Sequence, residues 1–165
     1  MTFTIRSTRA DDWREVKALR IEMLADTPNA FGETLAQALG NSESEWRTRA
    51  ARGENPAGAQ LVAIADDGRW IGTMGAYVTA RSEALLVGVY VTPAYRGIES
   101  GVTDALLSAV EEWCRPRFVT LTLHVHEQNP RARAAYERRG FEYTGQRMPY
   151  VLDSAEFELA MVKRL

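Results

Sequence analysis

Asn129, Ala132 and Tyr136 stand at offsets of zero, three and seven in the stretch NPRARAAYERRGF. Seven residues of α-helix turn through about 700°, so the amide and the phenol lie within about 20° of one direction on the helix. Ala132 lies between them and leaves a gap that its methyl does not fill. A phenol can take part in proton transfer, and an amide beside it can hold a polar ligand. The same residues also read as a capping asparagine with a tyrosine packed at the helix edge.

A second stretch, YRGIESGVTDALL, has the frame of a phosphate-cradling loop. A glycine-containing turn leaves a strand and enters an apolar-striped helix, whose first N–H groups attract anions. Ile98 and Glu99 interrupt it between Gly97 and Gly101. A carboxylate facing a phosphate would be repelled by about 1 kcal/mol or more. Other residues could exchange protons. Glu83 lies eight residues before Val91, an even offset that puts both on one strand face; it reads equally as a solvated charge at a strand start. His124 and His126 alternate along one strand and titrate near neutrality, or else are ordinary sheet-face histidines. Glu33, in AFGET, is a candidate acid for an acceptor site. Cys114 reads as a core thiol, and Trp13, Trp46, Trp70 and Trp113 as packing residues. No set of residues has metal-ligand spacing.

Strands and helices must position these groups. Residues 2–7 alternate as a short strand, and Thr8 or an acid just after it caps a helix with Trp13, Val16, Leu19 and Leu24 on one stripe. Pro28 ends that helix. A short helix over 34–39 follows, then a third that begins at the capping residues of NSESEWRTRAA. Residues 60–65 and 70–79 form strands about the hairpin signal Asp66-Asp67-Gly68. ALLVGVYV is a further strand, which Pro93 stops. Val102, Ala105, Leu106, Ala109, Val110 and Trp113 define a helix with one buried face over 101–114. A strand over 118–125 precedes a helix that Asn129 and Pro130 open and Gly140 closes. Strands over 141–147 and 157–164 complete the chain. The pattern predicts an α/β fold with a mixed sheet and one domain over residues 1–165.

Bulk properties narrow the function. The chain has 165 residues, enough for one sizeable core. A net charge of -2 argues against nucleic acid or a membrane surface as partner. The single cysteine cannot form an internal disulfide, which fits the cytoplasm. No run of about 18 apolar residues exists, and MTFTIRSTRADDW does not read as a signal peptide.

Two motifs occur together: V-x-P-x-Y-R-G from Val91 to Gly97, and N-x-x-A-x-x-x-Y-x-x-x-G-F from Asn129 to Phe141. With the one-faced helix between them, residues 85–141 closely resemble the acetyl-CoA-binding half of the GCN5-related N-acetyltransferases (GNAT), and AFGET and the closing strands look like those of small bacterial members. The resemblance implies a mostly antiparallel sheet, flanked by helices, whose central strand pair splays apart. The pantetheine arm of acetyl-CoA would lie in that notch, bonded to the backbone of Val89, Tyr90 and Val91 like an extra strand. Arg96, Gly97, Ser100, Gly101, Val102 and Thr103 would form the turn that meets the pyrophosphate. Asn129 would hold the pantetheine side, and Arg131 or Arg133 could meet the 3′-phosphate.

The resemblance also implies the chemistry. An acceptor amine would attack the acetyl carbonyl directly, with a backbone N–H near Val91 steadying the oxyanion. Tyr136 would protonate the departing thiolate, Glu83 is the candidate base, and no metal is required. The family's loop, R-G-x-G-x-G, matches best when Ile98 and Glu99 are a two-residue insertion, which keeps the helix in phase and lets Glu99 bulge into solvent. The expected activity is acetylation of a primary amine on a small molecule or peptide; a longer acyl-CoA is a variant of it. The alternative is a binding or regulatory module of the same fold whose cofactor site the insertion has impaired. A homodimer formed through sheet edges is the assembly the resemblance suggests.

Overall fold

The computed structural model describes residues 2–165. Its seven strands are β1 Phe3–Ser7, β2 Gly58–Ala65, β3 Trp70–Val78, β4 Ala84–Val91, β5 Thr120–His126, β6 Glu142–Tyr150 and β7 Asp153–Arg164. They form one sheet in the order β1-β2-β3-β4-β5-β7-β6. Only β4 and β5 pair in parallel; every other neighbouring pair is antiparallel. Helices α1 Trp13–Asp26, α2 Leu35–Leu39 and α3 Glu43–Ala50 precede β2, while α4 Val102–Cys114 and α5 Pro130–Glu137 flank β5. This is the mixed, mostly antiparallel α/β architecture expected from the sequence. No helix among the described residues is long and apolar enough to cross a membrane.

Most helix starts follow their sequence signals. The side chains of Thr34 and Ser42 accept the N–H groups of Gln37 and Glu45, which bond back to the capping residues. Asn129 accepts from the Ala132 N–H at 3.2 Å, with Pro130 in the first helical position. At the start of α1 the acid, and not Thr8, takes the capping place. The buried Thr8 hydroxyl donates to the Ala50 carbonyl instead, tying β1 to the end of α3. Asp12 takes over at the helix start, accepting from the Arg9 N–H and from both terminal nitrogens of Arg6. A single turn over Ala10–Asp12 therefore comes before the helix.

Two cores meet at β4. On one side Val102, Leu106, Leu107 and Val110 of α4 pack with Ile71, Met74, Val91, Leu121 and Leu123. In the other, Leu19, Met23 and Leu24 of α1 gather Phe31, Ala38 and Trp46 around Tyr90. Each such side chain contributes about 1.5–3 kcal/mol through burial, so β4 is fixed from both directions.

The closing strands run longer than their apolar pattern. β6 is an edge strand, exposed over most of its length and interrupted by Gly145 and Pro149. Its ladder to β7 defines it, not hydrophobic alternation. β5 starts at Thr120, two residues later than the pattern suggests, because the Phe118 N–H still donates to Cys114 at the end of α4.

Candidate active site

The parallel pair ends early. Ala84, Leu85 and Leu86 pair with Leu121, Thr122 and Leu123, and beyond them β4 and β5 have no partners in each other. The cause lies on the other edge of β4. Between the pairs Gly75–Val87 and Thr73–Tyr90, β3 supplies one residue, Met74, while β4 supplies two, Gly88 and Val89. Gly88 has φ +60°, the left-handed region that glycine adopts without steric cost. The extra residue is a β-bulge, which bends β4 and opens the notch. An isolated glycine inside a strand pattern is its sequence signal.

The bulge also corrects the reading of Glu83. One extra residue reverses the alternation, so Glu83 and Val91 do not share a face. Glu83 lies exposed in the β3–β4 turn, its backbone bonded to Thr79, away from the notch.

The other end of β4 offers an unpaired edge. The Thr92 N–H donates to the Ile71 carbonyl at 2.9 Å, which makes Gly72 and Val91 a non-hydrogen-bonded pair. The N–H and C=O of Val91 therefore point away from β3; the C=O accepts from Arg96 Nε, and the N–H is left free for the notch. An extended amide-bearing arm fits such an edge as an added strand would.

A cavity of about 690 Å³ fills the notch and continues beneath α1 and α3. Its wall brings together Val89, Tyr90, Val91, Arg96, Gly97, Thr103, Asn129 and Tyr136 of the residues expected from the sequence, together with Arg131. Ser100, Gly101 and Val102 are not on it; the Val102 side chain is wholly buried beneath α4. The Asn129 oxygen is engaged in capping, which leaves its amide N–H groups for a ligand. The Tyr136 ring meets Phe141 edge-on at 5.7 Å, and burial pushes the phenol up to about 12 against a smaller downward pull from Arg139. Tyr136 is therefore protonated at neutral pH.

The interrupted loop forms a single turn over Ile98–Ser100 between two glycines with φ +104° and +69°. The Ser100 hydroxyl folds back on the carbonyls of Tyr95 and Gly97. Ile98 is 78% exposed, and Glu99 is exposed and off the cavity wall. α4 begins without a side-chain cap, so its first N–H groups are available to an anion. Arg96 is engaged locally: it donates to the Val91 carbonyl at 2.7 Å and pairs with Asp26.

The opposite end of the cavity lies under an arch. The Tyr150 hydroxyl donates to the Phe31 carbonyl at 2.5 Å, joining the β6–β7 turn to the loop after α1. Glu33, two residues on, accepts from Arg20 at 2.9 Å and from Arg49 at 2.8 and 2.5 Å. Burial alone would raise its carboxyl, but the two guanidiniums outweigh that and hold it at about 2. Glu33 thus pins three segments together and is too weak a base to take a proton near neutrality.

The histidines separate in the same way. The His126 side chain is buried, with Nε2 2.8 Å from Glu156 and Nδ1 accepting from the Gln128 N–H at 3.2 Å. Both ring nitrogens are engaged. His124 is exposed at the cavity wall. Cys114 is buried, and burial pushes its thiol up to about 11, as befits a core residue. Glu22 accepts from the hydroxyls of Tyr90 and Thr92.

One acid was missed by sequence reasoning. Glu158 on β7 is the only carboxylate on the wall of this cavity among the described residues, and it makes no side-chain hydrogen bond or ion pair. It stands opposite His126 in the β5–β7 register. Its signal in the sequence is a charge set between Phe157 and Leu159, at the head of the apolar run Leu159–Val162.

The acetyltransferase (GNAT) family model matches residues 19–141, and the chain belongs to this family. A GCN5-related N-acetyltransferase from Kribbella flavida is similar in fold, with a TM-score of 0.75 at 20% identity over 99% of this chain and 98% of that one. The PaiA N-acetyltransferase from Thermoplasma acidophilum, in complex with coenzyme A, gives 0.75 at 20% identity over the whole of both chains. A phosphinothricin acetyltransferase from Sinorhizobium meliloti, in complex with acetyl-CoA, gives 0.76 at 22% identity over 100% of this chain and 89% of that one. These likenesses show the fold. None of the curated proteins compared matches the chain.

Proposed function

We propose that the chain transfers an acetyl group from acetyl-CoA to a primary amine of a small molecule or peptide by direct attack. One observation carries this reading: an unpaired strand edge, a free amide and a protonated phenol line a single cavity. Acetyl-CoA supplies the activated acetyl thioester. The backbone of Val89 and Val91 holds the pantetheine arm, since the Tyr90 N–H and C=O face Thr73 of β3, and Asn129 holds it from the other side of the notch. Gly97, Thr103 and the first turn of α4 take the pyrophosphate.

The Val91 N–H steadies the charge that develops on the carbonyl oxygen. Tyr136 delivers a proton to the departing sulfur, a role suited to a phenol that stays protonated. Glu158 accepts the proton of the incoming ammonium group. It replaces Glu83 in that role because it is unpaired and on the cavity wall. A binding module of the same fold is the second reading and rests on Ile98 and Glu99; the outward position of Glu99 favours the enzyme. We also propose a cytoplasmic location, supported by the single buried free thiol.

Incubation with acetyl-CoA and a panel of amines, followed by thiol release and product mass, tests the reading. Acetylation of at least one amine is expected. Bound acetyl-CoA with no amine consumed would favour the module.

A further inference from the structure

We infer that the acceptor amine also carries a carboxylate, bound by Arg20, Arg49 and Arg52 at the arched end of the cavity. The inference deepens the transferase reading above and rests on it. All three arginines line the cavity, and a smaller adjoining recess holds them again with Glu33. Three guanidiniums therefore face one carboxylate, leaving positive charge in excess.

The arginines are held ready for a planar anion. Arg20 lies over the Phe31 ring at 4.9 Å and Arg49 over Trp46 at 5.0 Å, while their bonds to Glu33 fix their orientation. Arg20 gives Glu33 only its Nε, and Arg52, the most exposed of the three, makes no side-chain hydrogen bond in the protein. Unused guanidinium edges are thus available for the bidentate geometry that a carboxylate accepts. Burial lowers the pKa of Arg20 and Arg52, and repulsion from neighbouring guanidiniums lowers both further. An anion would relieve that repulsion. The buried indole N–H of Trp46, beneath Arg49, also lacks a partner.

Glu158 and the three arginines are opposite in sign; Arg96, Arg131, Arg138 and Arg139 add further positive charge to the wall. Glu158 suits an ammonium group and the arginines suit a carboxylate, with Leu19, Met23 and Trp70 among the apolar residues of the wall. A zwitterionic amine matches this polarity, whereas a polyamine would bring a second cation to the arginines.

Acetylation rates for matched amines test the inference: L-phenylalanine with phenethylamine, L-tryptophan with tryptamine, L-ornithine with putrescine, and O-phosphoethanolamine with ethanolamine. In at least one of the first three pairs the carboxylate member should show kcat/KM about ten- to a hundredfold higher, the range expected of a charge-assisted contact. Arg52→Gln should shrink that ratio about tenfold. Equal or better use of every decarboxylated partner would overturn the inference while leaving the transferase reading intact. Preference for O-phosphoethanolamine alone would overturn it in favour of a phosphate-bearing amine. If acetyl-CoA binds but no amine turns over, the same pairs are titrated onto protein loaded with CoA. Tighter binding of the carboxylate members then supports the inference, and equal or absent binding overturns it. If acetyl-CoA does not bind at all, the transferase reading fails first and the inference falls with it.

Discussion

Glu158 on β7 stands directly opposite His126 on β5, and the two acidic and basic groups have different surroundings. His126 is held between Glu156 and the Gln128 N–H, while Glu158 meets the cavity without a partner. That difference in freedom supports the proton-accepting role proposed for the carboxylate.

Glu158→Gln should therefore lower kcat by about 10² to 10⁴ at neutral pH, the usual range for loss of a general base. Thiol release with any accepted amine measures it. Unchanged kcat and KM across the neutral range would remove Glu158 from the mechanism.

Tyr136→Phe should lower turnover by a similar factor of about 10² to 10⁴, with acetyl-CoA affinity within a few-fold of the parent. The phenol is raised to about 12, so ionisation of Tyr136 should impose no alkaline loss of rate until the pH approaches that value. A variant that turns over normally would return Tyr136 to a packing role beside Phe141.

The sequence made the notch half legible. Asn129, Pro130 and Gly140 marked α5 through local capping chemistry, so Tyr136 could be placed on its helix face before any fold was known. Glu83 failed because strand parity is a long-range count, and one bulge at Gly88 reverses it. The arginine cluster was illegible for a different reason. Arg20, Arg49 and Arg52 come from two helical segments and the turn after the second, and only tertiary packing around Glu33 brings them together.

Glu99 stands off the cavity wall, so its charge should matter little. Glu99→Gln should change acetyl-CoA affinity less than about twofold, against roughly five- to tenfold if the carboxylate faced the pyrophosphate. Deleting Ile98 and Glu99 should leave a folded protein that binds at least as tightly. A large gain from the single substitution would show that the loop turns its charge inward.

Glu33 should make stability depend on acid. Its carboxyl is held at about 2 when folded, against an ordinary value of 4.5, so the unfolded chain takes up the proton first as pH falls. The stability it contributes is present above 4.5 and fades as pH drops toward about 2. Glu33→Gln should cost about 1–3 kcal/mol at neutral pH, because Arg20 and Arg49 lose their shared partner. Urea unfolding of both proteins through this window should show the gap closing in acid. A gap that stays constant with pH would mean that the ion pairs contribute little.

Calorimetric titration of the parent protein with acetyl-CoA tests the central claim most directly. The open edge of β4, the free Asn129 amide and the uncapped start of α4 predict one saturable site with a micromolar dissociation constant. Binding should weaken in Asn129→Ala by more than that variant's loss of about 1 kcal/mol in helix capping explains. Absence of binding to the folded parent at about 1 mM acetyl-CoA, an affinity weaker than about −4.1 kcal/mol, would contradict the account.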